Sequence, residues 1–210
     1  MSKKLANNYV YLLDGHAYVN LTNKCHNACN FCIRNTGDGV AGTPLWLIKE
    51  PTADEVLVAF GKVKNMLTSD EVVFCGYGEP TERLDTLLEC AARLKALGYK
   101  LRLNTNGLGD LVNKKSIAPL LANFDTVSVS LNESTPEKYL SVTKSVFGTD
   151  ALPAVIAFAE SCKREGIYTV FTVVDTIGGA DIEECKRISE RTKVPLRVRE
   201  YISDNYGEER

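Results

Sequence analysis

Three cysteines crowd one short segment: Cys25, Cys29 and Cys32 in KCHNACNFC (24–32). Thiolates at such spacing serve as metal ligands or redox groups. A structural zinc ion takes four ligands. His26 would be a cramped fourth beside Cys25, and no second paired-cysteine group stands elsewhere in the chain. A [4Fe–4S] cluster is normally held by four cysteines. Three thiols on one loop suit it better than zinc and leave one iron open to a non-protein ligand. An open coordination position is what separates catalytic from structural metal centres. The other cysteines, Cys75, Cys90, Cys162 and Cys185, stand singly in strand or helix patterns and read as small buried hydrophobes. The total of seven is odd, and the first residues, MSKKLANNYVYLLDG, hold no apolar run of signal-peptide length. A disulfide framework is therefore not expected.

The elements that must position this loop repeat along the chain. β-patterned runs occur at 17–22, 71–76, 100–107, 126–132, 168–175 and 195–201. Helical stretches separate them. One opens with a Thr52–Glu55 capping box, and a second ends at Gly98. A third has Pro136 in its first turn, a fourth covers about 150–165, and a fifth has Asp181 as its expected N-cap. The helical signal is weakest around KSIAPLLANF, between the third and fourth runs. Alternation of this kind predicts parallel strands joined by right-handed crossovers. The expected fold is α/β, a partial (βα)6 TIM-type barrel in one domain over 1–210. A small hairpin turning at Asp14-Gly15 precedes it.

The strands are two-faced. Asn20 and Thr22 alternate with Val19 and Leu21, and Arg102, Asn104 and Asn106 with Leu101, Leu103 and Thr105. Ser128, Ser130 and Asn132 alternate with Val127, Val129 and Leu131. Arg197, Arg199 and Tyr201 alternate with Leu196 and Val198. The apolar face suits a helical layer. A closed eight-stranded barrel fills its interior with branched apolar side chains, so the polar face predicts an incomplete barrel with a wet lumen. Its arginines suit carboxylate or phosphate. A sheet with one face simply in solvent is the alternative, disfavoured by the helix after nearly every strand. The cysteine loop falls at the C-terminal end of the first strand, where such folds carry their active sites.

Cys25-x3-Cys29-x-Phe31-Cys32 resembles the CxxxCxφC signature of the radical S-adenosylmethionine (SAM) superfamily. FCGYGEPT (74–81) is similar to that superfamily's glycine-rich stretch, LRLNTNG to the segment after its third strand, and VSVSLN to its fourth strand. Together with YVNLTNKCHNACNFCIRN and PLRVREY, these motifs most resemble the TatD-associated radical SAM proteins. That name reflects a genomic link to TatD-type nucleases and implies no substrate. The resemblance spans about 17–201. It implies one [4Fe–4S] cluster on Cys25, Cys29 and Cys32 with SAM on the open iron. Gly76, Tyr77, Gly78 and Glu79 would lie at the SAM amino group, Asn104, Ser130 and Asn132 would be further SAM contacts, and Phe31 would lie near the adenine. The implied chemistry is reductive cleavage of SAM to a 5′-deoxyadenosyl radical that abstracts hydrogen from a substrate.

Arg102, Arg197 and Arg199 point to a small anionic or nucleotide-like substrate. Tyr201, Lys144 and Phe147 are further candidates at the same mouth, and Trp46 is either a cover for the site or a packing anchor. Cys75 lies beside the glycine-rich stretch, where its neighbours favour ordinary packing over a thiol role. With a net charge of −2, the chain shows no global basic surface for nucleic acid. No apolar run reaches membrane-spanning length, and a cytoplasmic, oxygen-sensitive protein is expected. A flavodoxin or ferredoxin is the implied reductant. Neither a second cluster nor an added cobalamin or leader-binding domain is expected. Compact size is shared with glycyl-radical activating enzymes, which act on a protein, and with 7-carboxy-7-deazaguanine synthase-like proteins, which imply a small anionic pterin. A non-catalytic iron–sulfur carrier or redox sensor, or a zinc-stabilised module, is the reading from a different class.

Overall fold

The computed structural model describes residues 4–35 and 39–200. The chain opens with an antiparallel hairpin, β1 (Val10–Leu13) and β2 (His16–Val19), Val10 standing opposite Val19. Asp14 and Gly15 make its two-residue turn, with φ of 49° and 77°. Both positive values belong to the tight turn whose twist matches the flanking strands. The cysteine loop follows, then a two-strand ribbon of β3 (Gly39–Val40) and β4 (Thr43–Pro44). Helix α1 (Ala53–Val63) starts at Thr52, whose side chain accepts the Glu55 N–H while Glu55 caps the Thr52 N–H in return. After it come β5 (Glu71–Phe74), α2 (Leu84–Ala96) and β6 (Lys100–Thr105). The chain continues through α3 (Gly109–Asn113), β7 (Thr126–Ser130), α4 (Pro136–Thr143) and α5 (Ala151–Arg164). It closes with β8 (Tyr168–Val174), α6 (Gly179–Thr192) and β9 (Leu196–Arg199).

One sheet holds seven strands in the order β1-β2-β5-β6-β7-β8-β9, parallel from β2 onward. Every crossover steps the same way, which is the winding of a barrel. A doubly wound sheet would reverse direction at a switch point. Among the described residues the sheet does not close, β1 and β9 being its edges. The partial (βα)6 barrel is therefore the observed architecture, with the hairpin lending its second strand to the barrel. On the helix side Val19, Phe74, Leu101, Leu103, Val127, Val129, Phe171 and Val173 have no exposed surface and join one core with the helices. No single described helix is long and apolar enough to cross a membrane.

Several expectations need correction. Asp181 is not the N-cap of α6: Gly178 holds that place, and Asp181, in the first turn, reaches Lys138 Nζ (2.5 Å) and Ser134 Oγ on the neighbouring segment. The third crossover is a five-residue helix and a 3-10 turn over Ala118–Leu121, as the weak pattern there foreshadowed. Strands also end earlier than their runs. Asn20, Thr22, Asn106 and Asn132 all stand past the last ladder residue, in the loops above the sheet, and Asn132 takes a left-handed φ of 61°.

Strand register sorts the lumen into layers. Tyr18, Val73, Arg102, Thr126 and Tyr168 share one level. Above it Asn104 pairs with Ser128, and Ser128 with Val170. Higher still, Ser130, Thr172 and Arg197 are level, and Arg199 stands beside Val174 nearest the loops.

Candidate active site

The cysteine loop is seated by residues more than a hundred positions away. Ala28 N–H donates to Thr143 O (2.8 Å), Asn30 N–H to Val142 O (2.9 Å), and Val146 N–H to His26 O (3.1 Å). These clamps use the C-terminal turn of α4, which ends with Lys144 in the left-handed region. Buried Asn27 donates through Nδ2 to the hydroxyl of fully buried Tyr139 (3.4 Å). His26 hydrogen-bonds Glu82 through Nδ1 and stacks on Phe147 at 5.4 Å. Phe147 thus braces the loop, and Lys144 beside it is exposed.

Glu79 lashes three loops together. Its N–H donates to Lys24 O (2.8 Å). Its buried carboxylate accepts from Thr81 N–H (3.2 Å), Thr81 Oγ1 (2.9 Å), Thr105 Oγ1 (2.7 Å) and Asn106 N–H (2.7 Å). Burial raises its pKa, with those donors pulling the other way. Asn106 completes the link, its Nδ2 lying 3.7 Å from Cys25 Sγ. The glycines beside Glu79 answer to the same crowding. A Cβ on Gly78 would stand 2.4 Å from Thr22 O and 2.6 Å from Lys24 O, and one on Gly76 2.1 Å from Asn20 Oδ1. The close approach that requires glycine here is made by the chain's own first loop.

The three thiols are half-buried. Burial pushes Cys25 up to about 11, and burial with its neighbours Cys32 and Cys25 pushes Cys29 up to about 12. Binding a metal centre therefore releases protons. Among the described residues no three His, Cys, Asp or Glu groups converge on a single ion. A cluster in which each thiolate meets a different iron needs no such convergence, and the all-thiol donor set fits it. Phe31, half-buried, lies on the same loop.

Beneath the loops the lumen carries unspent hydrogen-bonding capacity: Asn20 Oδ1, Asn104 Oδ1 and Arg102 Nε are buried without partners. Half-buried Ser130 and buried Asn132 stand above Asn104. The sequence-predicted substrate residues do not share one place. Arg102 sits low, paired with Glu71 at 3.2 Å, and Glu71 also lies 3.6 Å from His16 Nδ1. That ion pair sets Arg102 on the lumen floor, apart from the other candidate substrate contacts. Arg197 and Arg199 are exposed on β9, toward the loop end. Tyr201 lies outside the described residues. Tyr77 and Trp46 meet edge to face at 5.1 Å in a small cluster with Tyr11, Val40 and Leu45, so Trp46 is a packing anchor. A surface cleft between α5 and α6 and another around Glu82–Thr86 touch none of the three cysteines.

Asn106, Asn27, Tyr139 and the His26–Glu82 pair were not singled out as site residues from sequence. Only TNG and GEP as motifs hinted at the first. The rest depend on contacts across the fold.

A family model described as the Radical SAM superfamily matches residues 19–191. The GTP 3',8-cyclase of Streptomyces coelicolor is 30% identical over 147 residues, covering 68% of this chain and 40% of the relative. That of Corynebacterium glutamicum is 30% identical over 161 residues, covering 72% and 39%. The chain thus spans about two fifths of the length of these curated relatives. Among solved structures, SuiB of Streptococcus suis bound to S-adenosylmethionine superposes with a TM-score of 0.63 at 19% identity, over 88% of this chain and 38% of that one. A radical SAM methyltransferase from Sphaerobacter thermophilus gives 0.61 at 18%, over 91% and 68%. These two likenesses show the fold.

Proposed function

The chain belongs to the radical SAM superfamily, and on that premise we propose an enzyme that takes a hydrogen atom from a small, anionic, nucleotide-like substrate. The observation that carries it is the three-thiol loop, seated over a lumen whose buried Asn20 and Asn104 oxygens lack partners. A bound [4Fe–4S] cluster and SAM supply one-electron reductive cleavage and a hydrogen-abstracting radical. Cys25, Cys29 and Cys32 would hold the cluster, and Asn106 orients Cys25. The backbone of Gly76–Glu79, with Asn104, Ser130 and Asn132, would line the SAM pocket, and Phe31 would cover the adenine. Glu79 keeps the three loops in register, and the surrounding helices exclude water from below. Arg197 and Arg199 would neutralise the substrate's charge at the rim.

Support for a nucleotide comes from the cyclase relatives, whose name gives GTP as what they act on. At the level of subfamily, the motifs favour the TatD-associated group. A flavodoxin- or ferredoxin-type protein would deliver the electron. Anaerobic reconstitution with iron and sulfide, followed by SAM, a strong reductant and a panel of nucleotides and pterins, tests the proposal. Formation of 5′-deoxyadenosine, stimulated by an anionic nucleotide and absent from Cys29→Ala, is the expected result. A brown protein that binds no SAM would favour the electron-carrier reading.

A further inference from the structure

Three of the seven cysteines form the candidate cluster loop, and three more, Cys90, Cys162 and Cys185, have no exposed surface in the helix-side core. Cys75 belongs to neither group. Phe74 before it turns to the helix side and meets Phe124 edge-on at 5.4 Å, so Cys75 faces the lumen. Its N–H donates to Val19 O (3.0 Å), setting it level with Asn20, and the β5–β6 register sets it level with Asn104. The Gly76–Glu79 loop begins directly above. Asn104 Oδ1, at the level of Cys75, is left buried and unpaired. Asn20, with no exposed surface, leaves its Oδ1 unpaired over Gly76. Two unspent acceptors around a half-buried thiol mark a layer built to meet a ligand.

We propose that the Cys75 thiol is the hydrogen-atom donor to a carbon radical formed in this lumen, an inference that rests on the radical SAM reading above. An S–H bond is weaker than the C–H bond made at its expense, so the transfer runs downhill. The S–H bond breaks, the C–H bond forms, and a thiyl radical remains on Cys75. One electron from the low-potential carrier that reduces the cluster and one proton from water restore the thiol. Burial favours the protonated thiol, the form that carries the hydrogen.

Isotope content tests this without knowledge of the substrate. The reconstituted protein is given SAM and titanium(III) citrate in D2O, in buffer free of added thiols. Hydrogens on water, alcohols and amides exchange but are too strongly bound to be abstracted, and cysteines ligating iron carry none. Deuterium in the 5′-deoxyadenosine can then come from a free S–D group or a tyrosine O–D, and the Cys75 variants separate the two. The wild-type product is expected to carry one deuterium. Cys75→Ser and Cys75→Ala are expected to lose the deuterium from the product they still make. A wild-type product lacking deuterium, or one equally labelled in both variants, overturns the proposal. Loss of all product in both variants with iron content intact overturns it too, assigning Cys75 to SAM positioning. Wild-type protein that makes no 5′-deoxyadenosine even with the nucleotide panel present sinks the proposed SAM cleavage instead.

Discussion

The same parallel strands present two faces built to opposite rules. On the helix side Phe74, Leu103, Val129 and Phe171 are wholly buried among apolar neighbours, and the cysteines there are ordinary fillers. On the lumen side Arg102, Asn104 and Ser130 alternate with them, and buried polar atoms stand without partners. Unpaired buried groups are costly, on the order of 1–3 kcal/mol each. A face that tolerates them is kept for something other than stability. The helix side holds the sheet together, and the lumen side keeps hydrogen-bonding capacity that the fold does not use.

Substitutions on the two faces should therefore separate stability from chemistry. The largest effect is expected from Cys25→Ala or Cys29→Ala, which should take 5′-deoxyadenosine formation to the protein-free background. The midpoint of the metal-free protein should move by less than about 4 °C, the shift of roughly 1 kcal/mol in a chain this size; calorimetry beside product assay checks both halves. Phe74→Ala should do the reverse, costing about 3–5 kcal/mol by the cavity it leaves, with iron bound per folded molecule unchanged. Were its iron content to collapse while stability held, the division between faces would be wrong.

Glu79→Ala lies between the two. It strands the Thr81, Thr105 and Asn106 donors and should cost about 3 kcal/mol in urea denaturation, while also loosening iron retention. Glu79→Gln should fall partway, since one oxygen still accepts. Smaller and more discriminating is the arginine pair. Arg197→Met should raise substrate KM about tenfold, the equivalent of ~1.4 kcal/mol, whereas Arg102→Met should leave KM alone and cost about 1 kcal/mol of stability with its Glu71 pair. Equal KM effects would return Arg102 to the substrate site.

The smallest effect belongs to Asp125, at the N-terminal edge of β7. Burial alone would raise its pKa, but Lys95 (2.6 Å) and the Leu101 N–H (2.8 Å) outweigh that and hold it below the usual range. Its contribution is therefore present above about pH 4, the unfolded value, and is lost as pH falls through the folded one. Both side chains are well exposed, so Asp125→Asn should cost under ~1 kcal/mol at pH 7 and nothing in strong acid, read from urea midpoints at the two pH values.

What was legible in the sequence was what is local or periodic. The Thr52–Glu55 capping box and the Asp14-Gly15 turn are decided within four residues, and strand alternation exposed the two faces. Motif resemblance located the cysteine loop and GYGEP. The rest is written in pairings between distant segments. Nothing near Glu79 shows that Thr105 and Asn106 will surround it, nor near Arg102 that Glu71 will take its charge. Asp181 had the chemistry of a cap, yet Lys138, 43 positions away, offered it a better partner. The glycines at 76 and 78 stood out by motif alone, while the first loop that crowds them comes from more than 50 positions away.

The clamps on the cysteine loop also set an order of assembly. Asn27 and its partner Tyr139 are separated by 112 positions, and the carbonyls that hold Ala28 and Asn30 come later still. During synthesis the three thiols emerge long before the turn that seats them, at a time when they are free to oxidise or to capture stray metal. A cluster bound by these thiols would therefore be seated only once the chain beyond Val146 has been made. A ribosome-bound fragment ending before α4 should take up iron without retaining it.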